Sequence, residues 1–281
     1  MNDFCVFILS HGRPNKVKTY NTLLSCGYTG RIYIIIDNED KTSSDYYNLF
    51  SDKVIMFDKL QISKKFDMMD NFGKRNSIVC ARNSCWEIAE NLGVNYFIQL
   101  DDDYTDFRYK LDNDFNNING DKINNLDNIF NILLEYYKSI PALSIAISQG
   151  GDFIGGKEGN AANSPIFRKC MNSFICSTKR KFNFIGTLNE DVNAYAFLGS
   201  MGNIFLNIPN VALQQLATQK NSGGMTDIYI NTGTYIKSFY TIMCCPSSTK
   251  IQLMMSNHPR LHHAVNWNCA VPKIIRENFK K

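Results

Sequence analysis

The sequence predicts an α/β protein built on a mostly parallel sheet with helices on both faces. Three observations carry this. Short apolar runs alternate with helix-period segments over the first hundred residues. The run Ile32 to Ile36 has no polar interruption, as befits a strand covered on both faces. Each run also ends in a polar cluster, which puts several strand ends on one rim. Alternation of this kind implies right-handed crossovers between parallel strands.

Phe4 to Leu9 reads as the first strand, leaving the sheet through Ser10-His11-Gly12-Arg13-Pro14. A helix follows, with Val17, Tyr20, Leu23 and Leu24 on its apolar face and Gly27 as its stop. Strand two ends at Asp37-Asn38-Glu39-Asp40. A helix over residues 44–50 leads to a third strand, Val54 to Phe57, and residues 58–75 read as a polar loop. Ala81, Cys85, Ile88, Ala89 and Leu92 recur at helical spacing before Gly93. Tyr96 to Leu100 is strand four, and it runs directly into Asp101-Asp102-Asp103.

The second half is less regular and predicts a mixed continuation of the sheet. An amphipathic helix carries Leu126, Ile129, Phe130, Leu133, Leu134 and Tyr137. A strand from Ala142 to Ser148 leads to Gln149-Gly150-Gly151-Asp152, and strand-like runs recur at 171–176 and 204–208. The Asn-rich stretch 113–128 reads as an exposed loop. Residues 219–227 read as a Gly-containing lid hinged at Gly223 and Gly224.

A chain of 281 residues with 44% apolar and 20% charged residues suits one globular domain and excludes disordered and fibrous classes. A net charge of +4 permits contact with phosphates without requiring it. The nine cysteines show no C-x-x-C spacing and several sit in apolar runs, which predicts free thiols and a cytoplasmic setting. No apolar run reaches the roughly 18 residues that span a bilayer, so no membrane role is expected. Oligomeric state leaves no trace in the sequence.

Ligands of parallel sheets bind beyond the carboxyl ends of the strands. His11, Asp37, Asp58 and Asp101 all follow strands at that edge. Three consecutive aspartates after an apolar strand are costly unless neutralised. A hard divalent cation with oxygen ligands does this and keeps positions open for substrate phosphates. Any one of these aspartates also reads as a helix N-cap. The pair Glu190-Asp191 precedes another helix, over residues 192–197, and a carboxylate there could take a proton from a hydroxyl.

Six segments in order extend a resemblance over most of the chain. They are Phe7 to Pro14, Ala81-Arg82-Asn83, Gln99 to Tyr104, Gln149 to Phe153, Asn189 to Val192, and Gly223 to Asp227. Together they resemble the TET-associated glycosyltransferases of bacterial viruses, with the Rossmann-like GT-A fold of inverting glycosyltransferases. The resemblance implies a single domain. Residues 1–110 would form its nucleotide-sugar half and 111–281 its acceptor half.

It also implies residue roles. Asp101 would face the ribose and Asp103 would hold Mn2+ or Mg2+ on the donor diphosphate, with Asp101 close by and one of His262 and His263 as a late ligand. Ser10, Arg13, Asp37, Arg82, Asn83 and Asp102 would line the nucleotide pocket. Asp191, beside Glu190, would be the general base, with Gln149, Asp152, Asn189 and Gly224 on the sugar and acceptor side. The donor most common in this fold is a UDP-sugar. The implied acceptor is a 5-hydroxymethylpyrimidine in viral DNA. His11 stands where the family more often has arginine.

Lys157, Arg168, Lys169, Lys179, Arg180 and Lys181, with Phe167, Phe174 and Phe182 among them, form a basic, aromatic-laced run suited to phosphates and a stacked base. Two other classes compete. A nucleotidyltransferase acting on a sugar phosphate needs a phosphate loop after the first strand, and Pro14 removes a donor there. A non-catalytic nucleic-acid-binding module needs no clustered carboxylates and normally carries more positive charge. A glycosyltransferase with a non-DNA acceptor fits the same residues.

Overall fold

Uninterrupted apolar runs form the inner strands of one sheet in the computed structural model of the protein. The structure describes residues 3–70, 73, 75–118, 120–153, 155–159, 172–215, 236–255, 259–272 and 277. Strands β1 (Phe4–Leu9), β2 (Arg31–Asp37), β3 (Val54–Phe57) and β4 (Tyr96–Asp101) are parallel, with β1 between β2 and β4. The expected parallel half is therefore present.

The other half is mixed. β5 (Tyr104–Tyr109), β6 (Ala142–Gln149), β7 (Ser173–Ser177) and β8 (Ile204–Gln215) complete eight strands in the order β3-β2-β1-β4-β7-β6-β8-β5. β7 runs antiparallel to both β4 and β6, so β6 points the same way as β4. β8 is parallel to β6, and β5 is antiparallel to β8. The carboxyl ends of β1, β2, β4, β6 and β8 thus share one edge.

Alternate residues of each inner strand feed two cores, as the period-2 side-chain alternation requires. Phe4, Val6, Ile8, Ile34, Ile98 and Leu100 pack on one face with Leu23, Phe130 and Leu134. Those three come from α1 (Lys18–Ser25) and α5 (Leu126–Ser139). Cys5, Phe7, Ile35 and Phe97 pack on the other face against α4 (Val79–Asn91) and α6 (Glu190–Ser200). Each fully buried aromatic or aliphatic side chain contributes about 1.5–3 kcal/mol.

Several elements depart from expectation. The predicted loop 58–75 begins with a short helix, α3 (Lys59–Ser63), because the Asp58 carboxylate caps it by accepting from the Gln61 amide. Leu24 is 49% exposed; the inner face of α1 instead presents Thr19 and Thr22. Thr19 Oγ1 donates to the Asp101 carbonyl at 2.6 Å and accepts the Tyr104 amide at 2.9 Å. These hydroxyls clamp the turn that carries the aspartates, a role that hydrophobic periodicity does not register.

In the Asn-rich stretch, Ile123 is fully buried and Asn125 caps α5, so this loop is only partly exposed. Gly27 stops α1 as expected: its φ is +80°, and a Cβ there would meet the Asn124 carbonyl oxygen at 2.3 Å. β8 runs seven residues beyond the predicted 208. Near the C-terminus, α2 (Ser43–Phe50) having been passed early in the chain, α7 (236–244), a hairpin of β9 (Thr249–Met254) and β10 (Arg260–Val265), and α8 (Trp267–Ala270) pack beside α6. No helix among the described residues is long and apolar enough to cross a membrane. The described cysteines are free.

Candidate active site at the carboxyl edge of the sheet

Asp101 ends β4 and Asp102 and Asp103 form the turn into β5. The three carboxylates have different surroundings. Asp102 is fully buried and accepts from Ser10 Oγ at 2.6 Å and Arg13 Nε at 2.7 Å, with Arg13 Nη2 2.7 Å from its second oxygen. Tyr46 Oη lies 2.7 Å from Ser10 Oγ and accepts the Arg13 amide. This two-pronged pair fixes the guanidinium of Arg13, whose side chain is still 22% exposed at the rim. Burial pulls the Arg13 cation down, but Asp102 more than offsets it and the net shift is upward.

Asp103 accepts from Gln215 Nε2 at 3.0 Å. Gln215 ends β8 and was not among the predicted residues, because the strand was expected to stop seven residues earlier. Asp101 accepts from Arg82 Nη2 at 3.0 Å and keeps a side chain 15% exposed. Burial pushes its carboxyl up to about 7; Arg82 opposes that shift, while Asp103, Glu190 and Asp102 add to it. Asp103 is also raised, by burial and by Asp102.

Arg82 comes from α4 and is 1% exposed. Its Nε donates to Glu190 Oε1 at 2.9 Å while Nη2 holds Asp101. The Phe174 and Phe184 rings lie over its carbon at 5.3 and 5.7 Å. Asn83, one residue on, makes a two-way bond to the Phe184 backbone, donating to its carbonyl and accepting its amide at 2.9 Å each. Both side chains are thus engaged within the protein.

Glu190 and Asp191 open α6 behind Asn189, which adopts φ +53°. All three are buried. Burial raises the Glu190 carboxyl, with Arg82 opposing and Asp191 adding to the shift. Asp191 Oδ1 accepts the Val192 amide at 2.8 Å. The turn before α6 needs Gly186, at φ +83°, because a Cβ there would meet Asn193 Nδ2 at 2.7 Å.

Asn189 Nδ2 donates to the Lys237 carbonyl at 2.7 Å and to Thr241 Oγ1 at 3.0 Å, both on α7. His263 Nδ1 lies 3.3 Å from the same nitrogen, so β10 presents this histidine to Asn189. His262 stacks on His263 and donates to its carbonyl. Among the described residues no three His, Cys, Asp or Glu side chains converge on one point. The two histidines are therefore not gathered with the aspartates into a protein-only cage.

A divalent ion still fits the donor set at β4. Among the described residues, Asp102 pairs with Arg13, Asp101 and Glu190 share Arg82, and Asp103 adds a further carboxylate beside them. Burial first, and neighbouring carboxylates second, raise the Asp101 and Asp103 carboxyls. Magnesium-type ions are held by one or two carboxylates plus substrate phosphates rather than by full protein cages.

Asp37, at the end of β2, accepts from His11 Nδ1 at 2.7 Å and Lys59 Nζ at 3.2 Å. At the end of β6, Asp152 accepts the Gln149 amide and Asn207 Nδ2, closing its own turn. Gln149 Nε2 reaches Gln215 Oε1 at 3.5 Å, beside Asp103. Gly223, Gly224 and the rest of 219–227 lie outside the described residues, as do Phe167, Arg168 and Lys169.

Phe174, Phe182, Arg180 and Lys181 of the basic aromatic run are taken up within the protein. Phe174 and Phe182 are core side chains, and Phe182 packs edge-on to Trp86 at 4.9 Å. Arg180 donates to the Tyr137, Ile140 and Ala142 carbonyls at the end of α5, and Lys181 pairs with Glu90. Because β7 is antiparallel to β4, with Ser177 opposite Tyr96, residues 178–181 leave at the rim opposite Asp101.

The sequence profile of one family, TET-Associated Glycosyltransferase, matches residues 4–224. No curated protein sequence matches the chain. Among solved structures it is similar to S. aureus TarS 1–349 in complex with UDP, at 11% identity and TM-score 0.47. That match covers 77% of this chain and 61% of the other. A second similar structure is titled a mycobacterial protein, at 8% identity and TM-score 0.43, covering 93% of this chain and 83% of that one. The chain spans about three fifths of the TarS length that it matches.

Proposed function

The chain belongs to the TET-associated glycosyltransferase family and is a glycosyltransferase of α/β GT-A fold, and from that premise we propose that it transfers a sugar with inversion from a nucleotide-diphosphate donor to the 5-hydroxymethyl group of a pyrimidine in DNA. The observation that carries the mechanism is Arg82, which links the strand-end Asp101 to Glu190 beside Asp191. Two acidic motifs 89 residues apart thereby become one site.

In this reading Asp101 and Asp103 hold Mn2+ or Mg2+ against the donor diphosphate. When bound, that ion supplies Lewis-acid stabilisation of the departing diphosphate. Arg13, pinned by Asp102, which Ser10 holds in turn, presents its guanidinium to the phosphates from the next strand end. Asp37 and His11 border the nucleotide side. Asp191 removes the acceptor hydroxyl proton as the oxygen attacks the anomeric carbon from the face opposite the leaving group, because a neutral hydroxyl is a poor nucleophile. Asn189, braced by α7 and His263, sets the entry of α6 and so the aim of Asp191.

The hydroxymethylated DNA acceptor is supported by the family's association with TET-type chemistry, since residues 178–181 of the basic run leave at the rim opposite Asp101. A UDP-sugar is the first donor to test.

The test is transfer of label from a panel of nucleotide sugars into DNA containing 5-hydroxymethylcytosine, with manganese. We expect labelled DNA from the wild type and a fall of about 10²–10⁴-fold for Asp191→Asn, with a comparable loss for Asp103→Asn. Donor hydrolysis without labelled DNA would retain the glycosyltransferase and remove the DNA acceptor. Full activity of Asp191→Asn would remove the assigned base.

A further inference from the structure

We propose that Arg82 is a positioning residue that couples the donor half of the site to the acceptor half, through Asp101 on one side and Glu190 on the other. This inference rests on the donor and acceptor assignments above. Arg82 touches neither substrate in this scheme. Its side chain is 1% exposed, and the guanidinium is enclosed by Phe174 and Phe184. Nε and Nη2 are given to two carboxylates from different elements, the end of β4 and the first turn of α6. Nη1 is buried without a hydrogen-bond partner among the described residues.

That pattern differs from an arginine kept for packing. A buried guanidinium with an unmade bond is costly, and a wholly apolar set of residues at these three positions would pack the same space without that cost. A single planar cation shared by two carboxylates ties their positions together. Movement of Asp101 toward a donor-bound ion draws the guanidinium, and with it Glu190 and the start of α6. Lysine, a compact point charge on a flexible stem, cannot span both.

The test is binding linkage, read independently of transfer. The Kd of UDP with manganese is measured by calorimetry for the wild type, Glu190→Gln, Arg82→Lys and the double variant. With Glu190 neutral, Arg82 pairs with Asp101 alone and draws it from the ion. Glu190→Gln therefore weakens UDP by about fivefold or more, although Glu190 lies on the acceptor side. In the Arg82→Lys background the same substitution changes Kd less than twofold. An equal effect in both backgrounds, or none in the wild type, overturns the coupling.

If Arg82→Lys does not fold, the cycle of Asp101→Asn with Glu190→Gln serves, since both variants retain Arg82. Coupling predicts Kd effects that are non-additive by about threefold or more, and additivity refutes it. Failure of the wild type to bind any nucleoside diphosphate would instead overturn the parent reading of the site.

Discussion

Asp37 lies between His11 and Lys59, and its carboxyl is held below the ordinary range. Burial pushes it up, but the His11 hydrogen bond and the Lys59 charge more than offset that. A depressed carboxylate contributes stability that is full above its unfolded value of about 4 and is lost as pH falls through the folded value. Asp37→Asn should therefore cost about 1–3 kcal/mol at pH 7. The gap to wild type should narrow below about pH 4, as read by urea unfolding across pH. A gap that does not change with pH would show that Asp37 acts by shape and not by charge. Residue types were legible at this scale, and their partners were not. Asn83, which the family resemblance places in the nucleotide pocket, engages the Phe184 backbone through its side-chain amide. No local pattern predicts a bond between residues 101 positions apart.

At the scale of elements, α6 decides whether Glu190 and Asp191 stand at the site, and α6 is seated closely on α8. A Cβ at Gly199 would lie 2.2 Å from the Ala270 carbonyl oxygen. Gly199→Ala should push the helices apart and cost about 1–3 kcal/mol by overpacking, seen as a lower thermal midpoint. Gly151→Ala is the control, since a Cβ there meets nothing within 4 Å. Equal midpoints for both variants would refute the close seating. The parallel strands and α4, α5 and α6 were legible because burial on both faces, or on one stripe, writes a period into the chain. β5 and the β9–β10 hairpin were not. Tyr104–Tyr109 reads TDFR in its middle, and β9 exposes Lys250, Gln252 and Leu253. Edge and satellite strands bury too little to leave an apolar signature.

At the scale of the whole molecule, Arg13 and Arg82 each neutralise part of the acidic rim from within, so the fold is expected to stand without a metal. Chelation should therefore abolish transfer and leave the fold. EDTA is expected to remove activity, with manganese restoring it, while the far-ultraviolet circular dichroism spectrum and the unfolding midpoint stay constant. Unfolding on chelation would identify a structural ion instead, since structural metals contribute folding energy directly.

The chain by itself determined the α/β class, the parallel half of the sheet, the strand-end acidic cluster and the family, because these depend on local periodicity and on short ordered motifs. The tertiary structure alone decided which of three adjacent aspartates is sealed by Arg13, which is bridged through Arg82 to Glu190, and which meets Gln215. It also decided that residues 178–181 of the basic run leave at the far rim. Strand direction and long-range pairing set which side chains share an edge, and a one-dimensional pattern holds neither.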